Sequence, residues 1–225
     1  MTLVVACGLK REESIIERPG RDVFVVVGGG DAARLDAELD DMVEMFPGII
    51  VSSGLAGALD PTLLPGDVVI DGHRGLVARL QAILPHARIG AVVGSDTIVA
   101  TAAEKQALTD RTGAIAVDME THIARRVAAR RNLPFVAVRV ISDDAGSTLP
   151  PAALVGMKPD GSMALRAVLW SLARQPRQLP SLIRTGDQAG RAFKSLERTF
   201  AAIAAGHFDR ISPEHLPPDP EDYEA

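Results

Sequence analysis

The sequence predicts an α/β domain with a central, mostly parallel or mixed β-sheet flanked by helices. Short apolar segments rich in β-branched residues alternate with segments of helical periodicity. The apolar segments are continuous rather than alternating, which is typical of strands covered on both faces. The 225 residues, 47% of them hydrophobic, are enough for one core. We therefore expect a single domain over residues 1–205, followed by a proline-rich acidic tail over 206–225.

Seven segments are predicted as strands because each is short, apolar and rich in valine, isoleucine or alanine. In chain order they are residues 3–6, 23–27, 49–51, 68–70, 89–93, 114–117 and 135–141. No apolar run approaches the roughly 20 residues of a membrane span, and the N-terminus lacks the basic start of a secretory signal. The first segment is therefore expected to be a buried strand.

Helical periodicity covers the segments between these strands, at residues 32–45, 76–84, 102–111 and 120–131. Pro47, Pro85 and Pro134 each follow one of these segments, where a helix should already have ended. After Asp143 the character changes, and helices are expected at residues 163–173, 180–184 and 191–205. The sequence thus predicts a helical C-terminal segment.

Composition limits the classes of partner and cofactor. The single cysteine, Cys7, excludes an internal disulfide, and no spaced cysteine and histidine set is present for zinc. We therefore expect a cytoplasmic protein with no metal site. The net charge of -5 argues against nucleic acid as a partner. Residues 158–198 nevertheless carry eight basic and three acidic residues, so the C-terminal segment over 158–205 is basic.

Small residues follow the third predicted strand, in the sequence Ser52-Ser53-Gly54-Leu55-Ala56-Gly57. Such residues let a ligand approach the backbone closely and leave N–H groups free to bind an anion or a hydroxyl. An ordinary glycine-rich turn would have the same composition. These residues alone do not separate the two interpretations.

Two carboxylates follow other predicted strands. Glu120 ends the motif V-D-M-E, and Asp143 ends the motif V-R-x-I-S-D. Because ligands bind α/β sheets at the carboxyl ends of the strands, both are expected at the same edge as the glycine-rich segment. The alternative is that they are acids at helix starts that complement the helix dipole.

The order of these motifs resembles the nucleoside phosphorylases and the methylthioadenosine/adenosylhomocysteine nucleosidases. The resemblance covers about residues 2–144 and includes S-G-x-A-G-x-L-x-P-x-L-x-x-G-D-V-V in the glycine-rich segment. It implies a nucleoside phosphorylase-like fold and cleavage of the N-glycosidic bond of a purine, adenosyl-type nucleoside, releasing adenine. It implies no cofactor, with phosphate as a possible co-substrate. We also expect a homo-oligomer.

The resemblance implies a role for each matched residue. Glu120 accepts hydrogen bonds from the ribose 2′- and 3′-hydroxyls, while Met119 packs against the sugar. Asp143, oriented by Ser142, protonates or hydrogen-bonds N7 of the departing purine, which carries negative charge as the bond breaks. The remaining substrate-binding positions lie in the glycine-rich segment and in the wall beside the base: Gly54, Leu55, Ala56, Gly57, Ile98 and Val99.

The acceptor of the sugar is left open between water and phosphate. In the N-terminal loop, Glu13 matches the carboxylate that activates water in the nucleosidases, and Lys10 and Arg11 lie where phosphorylases bind phosphate. Ser52 and Leu55 replace an arginine and a serine of the phosphorylase pattern. These residues favour water, and we predict cleavage without phosphate.

A narrower resemblance points to a lipid-linked substrate. The segment between Ile70 and Arg88 is short, which leaves the nucleoside's 5′ side open, and the basic C-terminal segment contains Trp170. Together these features are similar to the hopanoid-associated nucleoside phosphorylases, which remove adenine from adenosylhopane. Peripheral contact with a membrane surface would follow. A conventional nucleosidase, a non-catalytic nucleoside-binding protein and a merely solvated helical face are the alternatives.

Overall fold

The computed structural model describes residues 2–17, 23–154, 170–171 and 174–208. Within these residues eight strands form one sheet. They are β1 Thr2–Cys7, β2 Val23–Val27, β3 Gly48–Ala58, β4 Val68–Gly72, β5 Arg88–Ile89, β6 Val92–Gly94, β7 Ala116–Asp118 and β8 Phe135–Asp143.

The sheet is mixed and mostly parallel. Its main order is β2-β1-β3-β8-β4-β5, and β1, β2, β3 and β8 run parallel to one another. Strand β4 is antiparallel to β8, and β7 pairs antiparallel with the end of β3 and parallel with β6. The predicted fold class is confirmed.

Helices cover both faces of the sheet. They are α1 Lys10–Ile16, α2 Ala32–Met45, α3 Arg74–Ile83, α4 Ala102–Thr112, α5 Thr121–Arg131, α6 Pro151–Leu154 and α7 Leu179–Ala205, with a 3₁₀ turn at Pro176–Gln178 before α7. Apolar residues of α1, α3 and α7 form a core on one face, and those of α2 and α5 form a core on the other. The domain is therefore a three-layer α/β/α arrangement.

Local signals in the sequence explain where several helices begin and end. Asp31 accepts a hydrogen bond from the Arg34 backbone N–H at 3.0 Å and so caps α2. Thr101 and Glu104 form a reciprocal capping box at the start of α4. Gly113 ends α4 in the left-handed conformation, with φ of 67°.

The predicted strands were wrong in two places. The segment 89–93 is two short strands, β5 and β6, because its first part pairs with β4 and its second part with β7. Strand β3 does not end at residue 51 but continues through the glycine-rich segment, since that segment pairs with β8 as far as Gly57. The pairing shifts register between Ala56 and Gly57, where β8 contains one extra residue, Ser142.

The C-terminal prediction was wrong in its boundaries. The helices expected at 180–184 and 191–205 are one continuous helix of 27 residues, α7. Gly186 and Gly190 lie inside it, and the buried residues of its second half, from Phe193 to Ile203, hold it against the sheet. Most of the helix expected at 163–173 and nearly all of the tail lie outside the described residues, so those predictions and the domain boundaries stay predictions. Among the residues that the structure describes, no helix is both long and apolar enough to cross a bilayer.

Candidate active site

A cavity of about 280 Å³ opens at the carboxyl edge of the sheet, where β3, β7 and β8 end. The start of α1 and the middle of α7 close two of its sides. Four carboxylates lie on its surface, and its remaining lining is largely apolar. The described lining residues are Gly8, Leu9, Glu12, Leu55, Ala56, Gly57, Thr97, Ile98, Val99, Val117, Asp118, Met119, Glu120, Ser142, Asp143, Leu149, Ala153, Thr185 and Ala189.

Glu12 is the carboxylate that α1 places in this cavity. It is 2% exposed, and its two oxygens accept three backbone N–H groups, from Gly8 and Leu9 at 2.9 Å and from Leu55 at 2.8 Å. Burial raises the pKa of Glu12 above its usual value, although these N–H groups and the charge of Arg139 act in the opposite direction. The result is a fixed carboxylate with an increased tendency to bind a proton.

Two glycines make room for the carboxylates. A Cβ atom at Gly54 would lie 2.7 Å from the Cδ atom of Glu12, and Gly54 has a φ of 134°, which disfavours any side chain. A Cβ atom at Gly8 would lie 2.7 Å from Oε1 of Glu120. Gly54 was predicted to bind substrate, but it does not line the cavity, because the Glu12 carboxylate lies against it.

Arg139 forms the charged floor beneath the cavity together with Asp118 and Glu120. The Arg139 side chain is fully buried on β8, with Nε 2.5 Å from Oδ2 of Asp118 and Nη1 3.2 Å from Oε2 of Glu120. Its Nη2 atom donates a hydrogen bond to Ser52 Oγ at 2.5 Å. Burial raises the pKa of Glu120 to about 8; the charges of Asp118 and Glu12 add to this rise, and that of Arg139 opposes it.

Asp118, rather than Glu120, performs the structural task at the start of α5. Its Oδ1 atom accepts the backbone N–H groups of Glu120 at 3.0 Å and Thr121 at 2.8 Å. Glu120 occupies the N-cap position but makes no side-chain capping bond. The helix-start interpretation therefore applies to Asp118, and the Glu120 carboxylate is left facing the cavity.

Asp143 lies at the end of β8 with both carboxylate oxygens contacted by donors. Ser142 Oγ donates to Oδ1 at 2.6 Å, and the Nζ atom of Lys105 contacts Oδ2. Lys105 comes from α4, is 1% exposed, and also donates to the backbone carbonyl of Asp144 at 2.8 Å. This buried ion pair at the edge of the cavity was not predicted.

Most of the predicted substrate-binding residues do come together. Those that line the cavity are Leu55, Ala56, Gly57, Ile98, Val99, Met119, Glu120, Ser142 and Asp143. The residues predicted to bind or activate the sugar acceptor do not line this cavity. Glu13 and Lys10 line a separate groove beside β2, and the Arg11 guanidinium stacks on the Phe193 ring at 3.9 Å.

The structure places Glu13 outside the cavity and the neighbouring Glu12 inside it. Residues 10–16 are not a loop but the helix α1, and its buried residues are Glu12, Ile15 and Ile16. This spacing of i, i+3 and i+4 is one face of a helix, so Glu13 points away from the cavity. The same spacing, read from the sequence, would have selected Glu12.

Comparison with known proteins gives one family match and a set of distant relatives. Residues 71–173 match the phosphorylase superfamily. This match supports the superfamily that the motifs indicated, and with it an enzyme of the nucleosidase and phosphorylase superfamily. A 5′-methylthioadenosine/S-adenosylhomocysteine nucleosidase from Staphylococcus aureus (strain MRSA252) is 25% identical over 159 residues, covering 55% of this chain and 70% of the relative.

Solved structures of a nucleosidase and a hydrolase share the fold. A 5′-methylthioadenosine/S-adenosylhomocysteine nucleosidase from Colwellia psychrerythraea 34H, in complex with adenine, is similar with a TM-score of 0.69 and 15% identity, over 92% of this chain and 95% of that one. Futalosine hydrolase of Helicobacter pylori strain 26695 is similar with a TM-score of 0.61 and 15% identity, over 89% of this chain and 97% of that one. At this identity the likeness establishes the fold.

Proposed function

We propose that this phosphorylase-superfamily chain is a nucleosidase that hydrolyses the N-glycosidic bond of an adenine nucleoside, with water as the acceptor of the sugar. The observation that carries the proposal is the buried Glu12 carboxylate, held by three backbone N–H groups at the cavity surface. Burial raises the pKa of Glu12, which is the direction that makes a carboxylate a stronger general base. The names of the relatives, which are nucleosidases, support the same reaction.

The charge of the cavity favours water over phosphate. Glu12, Asp118, Glu120 and Asp143 all reach the cavity surface, and no basic side chain lines it within the described part of the chain. The Arg139 guanidinium beneath the cavity is already in contact with two carboxylates. A phosphate dianion beside these groups would be repelled, whereas a neutral water molecule would not.

The sugar and the base are assigned to opposite parts of the cavity. Glu120 is proposed to accept hydrogen bonds from the ribose 2′- and 3′-hydroxyls, with Met119 against the sugar ring. Asp143, held by Ser142, is proposed to act on N7 of the leaving adenine, where negative charge develops. Ile98 and Val99 provide an apolar wall for the base.

Part of the cavity lining favours an apolar 5′ substituent. Leu149, Ala153 and Ala189 are apolar residues of this lining. At the start of α7, Leu179 and Ile183 lie about one turn apart and are 44% and 56% exposed. A lipid-linked adenosine that is presented from a membrane surface, as in the hopanoid-associated enzymes, would fit this arrangement.

The test is an assay of adenine release from 5′-methylthioadenosine and from a 5′-alkyl adenosine, each with and without phosphate. We expect free ribose products in both conditions, and faster release from the alkyl substrate. Glu12→Gln should lower turnover by about 100-fold or more because it removes the general base. Glu13→Gln is the matched variant one residue away and should retain activity.

Three outcomes would contradict the proposal. A strict phosphate requirement with a sugar 1-phosphate product would make the chain a phosphorylase. Binding of adenosine without adenine release would make it a binding protein. Loss of activity in Glu13→Gln but not in Glu12→Gln would restore the sequence-based assignment.

A further inference from the structure

Lys105 is a buried cation that has no role in the reaction proposed above. It lies on α4, three residues before the buried Leu108, so an apolar side chain could occupy its position on the inner face of the helix. Burying an ammonium group costs free energy unless it is paired and hydrogen-bonded. Lys105 contacts Asp143 Oδ2 and the Asp144 carbonyl at the edge of the cavity, and these contacts offset the free energy of burying its charge.

The pairing raises a chemical question about Asp143. Its two oxygens face the Ser142 hydroxyl and the Lys105 ammonium, so in the resting site Asp143 accepts hydrogen bonds at both. An acid that protonates a leaving base must have a proton to give. In this ion pair the transferable proton is on Lys105.

We propose that Lys105 is a positioning residue that supplies, through Asp143, the proton taken by the leaving base. This inference rests on the proposed function. The C1′–N9 bond breaks and its electron pair passes to the base, whose N7 takes a proton from Asp143. In the same step, Asp143 takes a proton from the Lys105 ammonium, which is left as a neutral amine. Water adds to C1′ and gives its proton to Glu12, and both groups exchange protons with solvent after product release.

The other charged groups around the pair are compatible with this transfer. Just after β8, the Asp144 carboxylate accepts hydrogen bonds from Ser147 at 2.7 Å and from Gln188 of α7 at 3.2 Å, and it forms an ion pair with Arg184. Lys105 itself contacts the Asp144 carbonyl rather than this carboxylate.

Across the cavity lie the carboxylates of Glu12, Asp118 and Glu120, with Arg139 beneath them. Lys105 is the cation in direct contact with Asp143.

Two substitutions separate the charge of Lys105 from its proton. Lys105→Met removes both, whereas Lys105→Arg keeps the charge in a group that does not deprotonate in proteins. We expect both variants to lower turnover of an adenine nucleoside at neutral pH by about 100-fold or more, the usual contribution of a general acid. The KM should change much less, because the sugar and base contacts remain.

The pH dependence then distinguishes the two variants. In Lys105→Met, the proton for the leaving base must come from solvent through Asp143, so turnover relative to wild type should recover as the pH is lowered. Protonation of the general base Glu12 lowers both rates alike and cancels in this ratio. In Lys105→Arg the positive charge remains, and recovery should be absent. A role in folding alone would not produce this split.

A second substrate checks the role of the proton. 4-Nitrophenyl β-D-ribofuranoside has a leaving group that needs no protonation, so Lys105→Met should keep most of the wild-type rate on it. Lys194→Met, an exposed lysine of α7, is the matched control and should behave as wild type on both substrates. Thermal unfolding confirms that each variant is folded.

The inference is overturned if Lys105→Arg retains full nucleoside turnover, because charge alone would then be sufficient. It is also overturned if Lys105→Met loses activity on both substrates equally and at every pH, which is the result expected of a structural lysine. If the wild-type protein releases no adenine at all, the proposed function fails, and this inference fails with it.

Discussion

Two clusters of arginine and carboxylate residues in this protein shift the pKa of a carboxyl group in opposite directions. The buried floor of the cavity contains Arg139, Asp118 and Glu120, and burial raises the pKa of Glu120 to about 8. The second cluster, here called the surface ladder, joins α2 to α5. In the surface ladder, hydrogen bonds from Arg131 and Arg130 hold the pKa of Asp40 well below its usual range. The ladder consists of Asp36, Asp40, Glu44, Arg126, Arg130 and Arg131.

The difference lies in solvation and in the balance of charge. The surface ladder has as many arginines as acids and remains partly exposed, so every carboxylate is both paired and hydrated. The floor has one guanidinium for two carboxylates, with Glu12 close by, and its three side chains are buried. The ladder is therefore built to hold two helices together, whereas the floor has more carboxylates than cations, so Glu120 retains a proton more readily there.

Removing an arginine should lower the free energy of unfolding more in the floor than in the surface ladder. We expect Arg139→Met to lower the free energy of unfolding by about 3–5 kcal/mol, because it leaves buried carboxylates without a partner. Denaturant unfolding measures this. The double variant Arg139→Met with Glu120→Gln should recover part of the loss. A loss below about 1 kcal/mol, the range of an exposed ion pair, would erase the contrast with the surface ladder.

The pH dependence of stability tests the raised pKa of Glu120. Its folded pKa of about 8 lies above the ordinary 4.5, so the folded state binds the proton more tightly. This contribution to stability is complete below about pH 4.5 and is lost as the pH rises through 8. Thermal unfolding of the ligand-free protein should therefore show this decrease, and Glu120→Gln should remove it. Glu38→Gln, on the exposed side of α2, is the control that should leave it unchanged.

The smallest effect is expected in the surface ladder. Arg130 donates to Asp36 at 2.9 Å and to Asp40 at 2.8 Å, and it is 43% exposed. Arg130→Ala should cost about 1 kcal/mol or less, and the difference from wild type should shrink as salt is added. Urea unfolding at low and high ionic strength provides the comparison. A larger, salt-independent loss would mean that the ladder behaves like the buried floor.

The sequence predicted the parts of the site that sit at strand ends. Glu120 and Asp143 were predicted because each follows a short apolar strand, and ligands bind α/β sheets at the carboxyl ends of strands. Glu12 was missed by one position because the start of α1 was not recognised. Its spacing to Ile15 and Ile16 was a readable signal.

Other parts of the site depended on information that local patterns do not contain. Lys105 shares a face of α4 with Leu108, but its partner is 38 residues away. Ser52 meets Arg139 across 87 residues, and only the strand order brings them together. The split of residues 89–93 into β5 and β6 is likewise decided by which strands they pair with.

The extra residue in β8 determines which side chains the site can present. In a regular strand, neighbouring side chains point to opposite faces, so Ser142 and Asp143 could not both reach one cavity. The register shift beside Ala56 and Gly57 interrupts this alternation, and both side chains line the cavity with their oxygens 2.6 Å apart. The spacing of this strand is therefore as much a part of the site as its residue types. Deleting Ser142, the one residue between Ile141 and Asp143, would restore regular alternation and leave one polar side chain where the site has two.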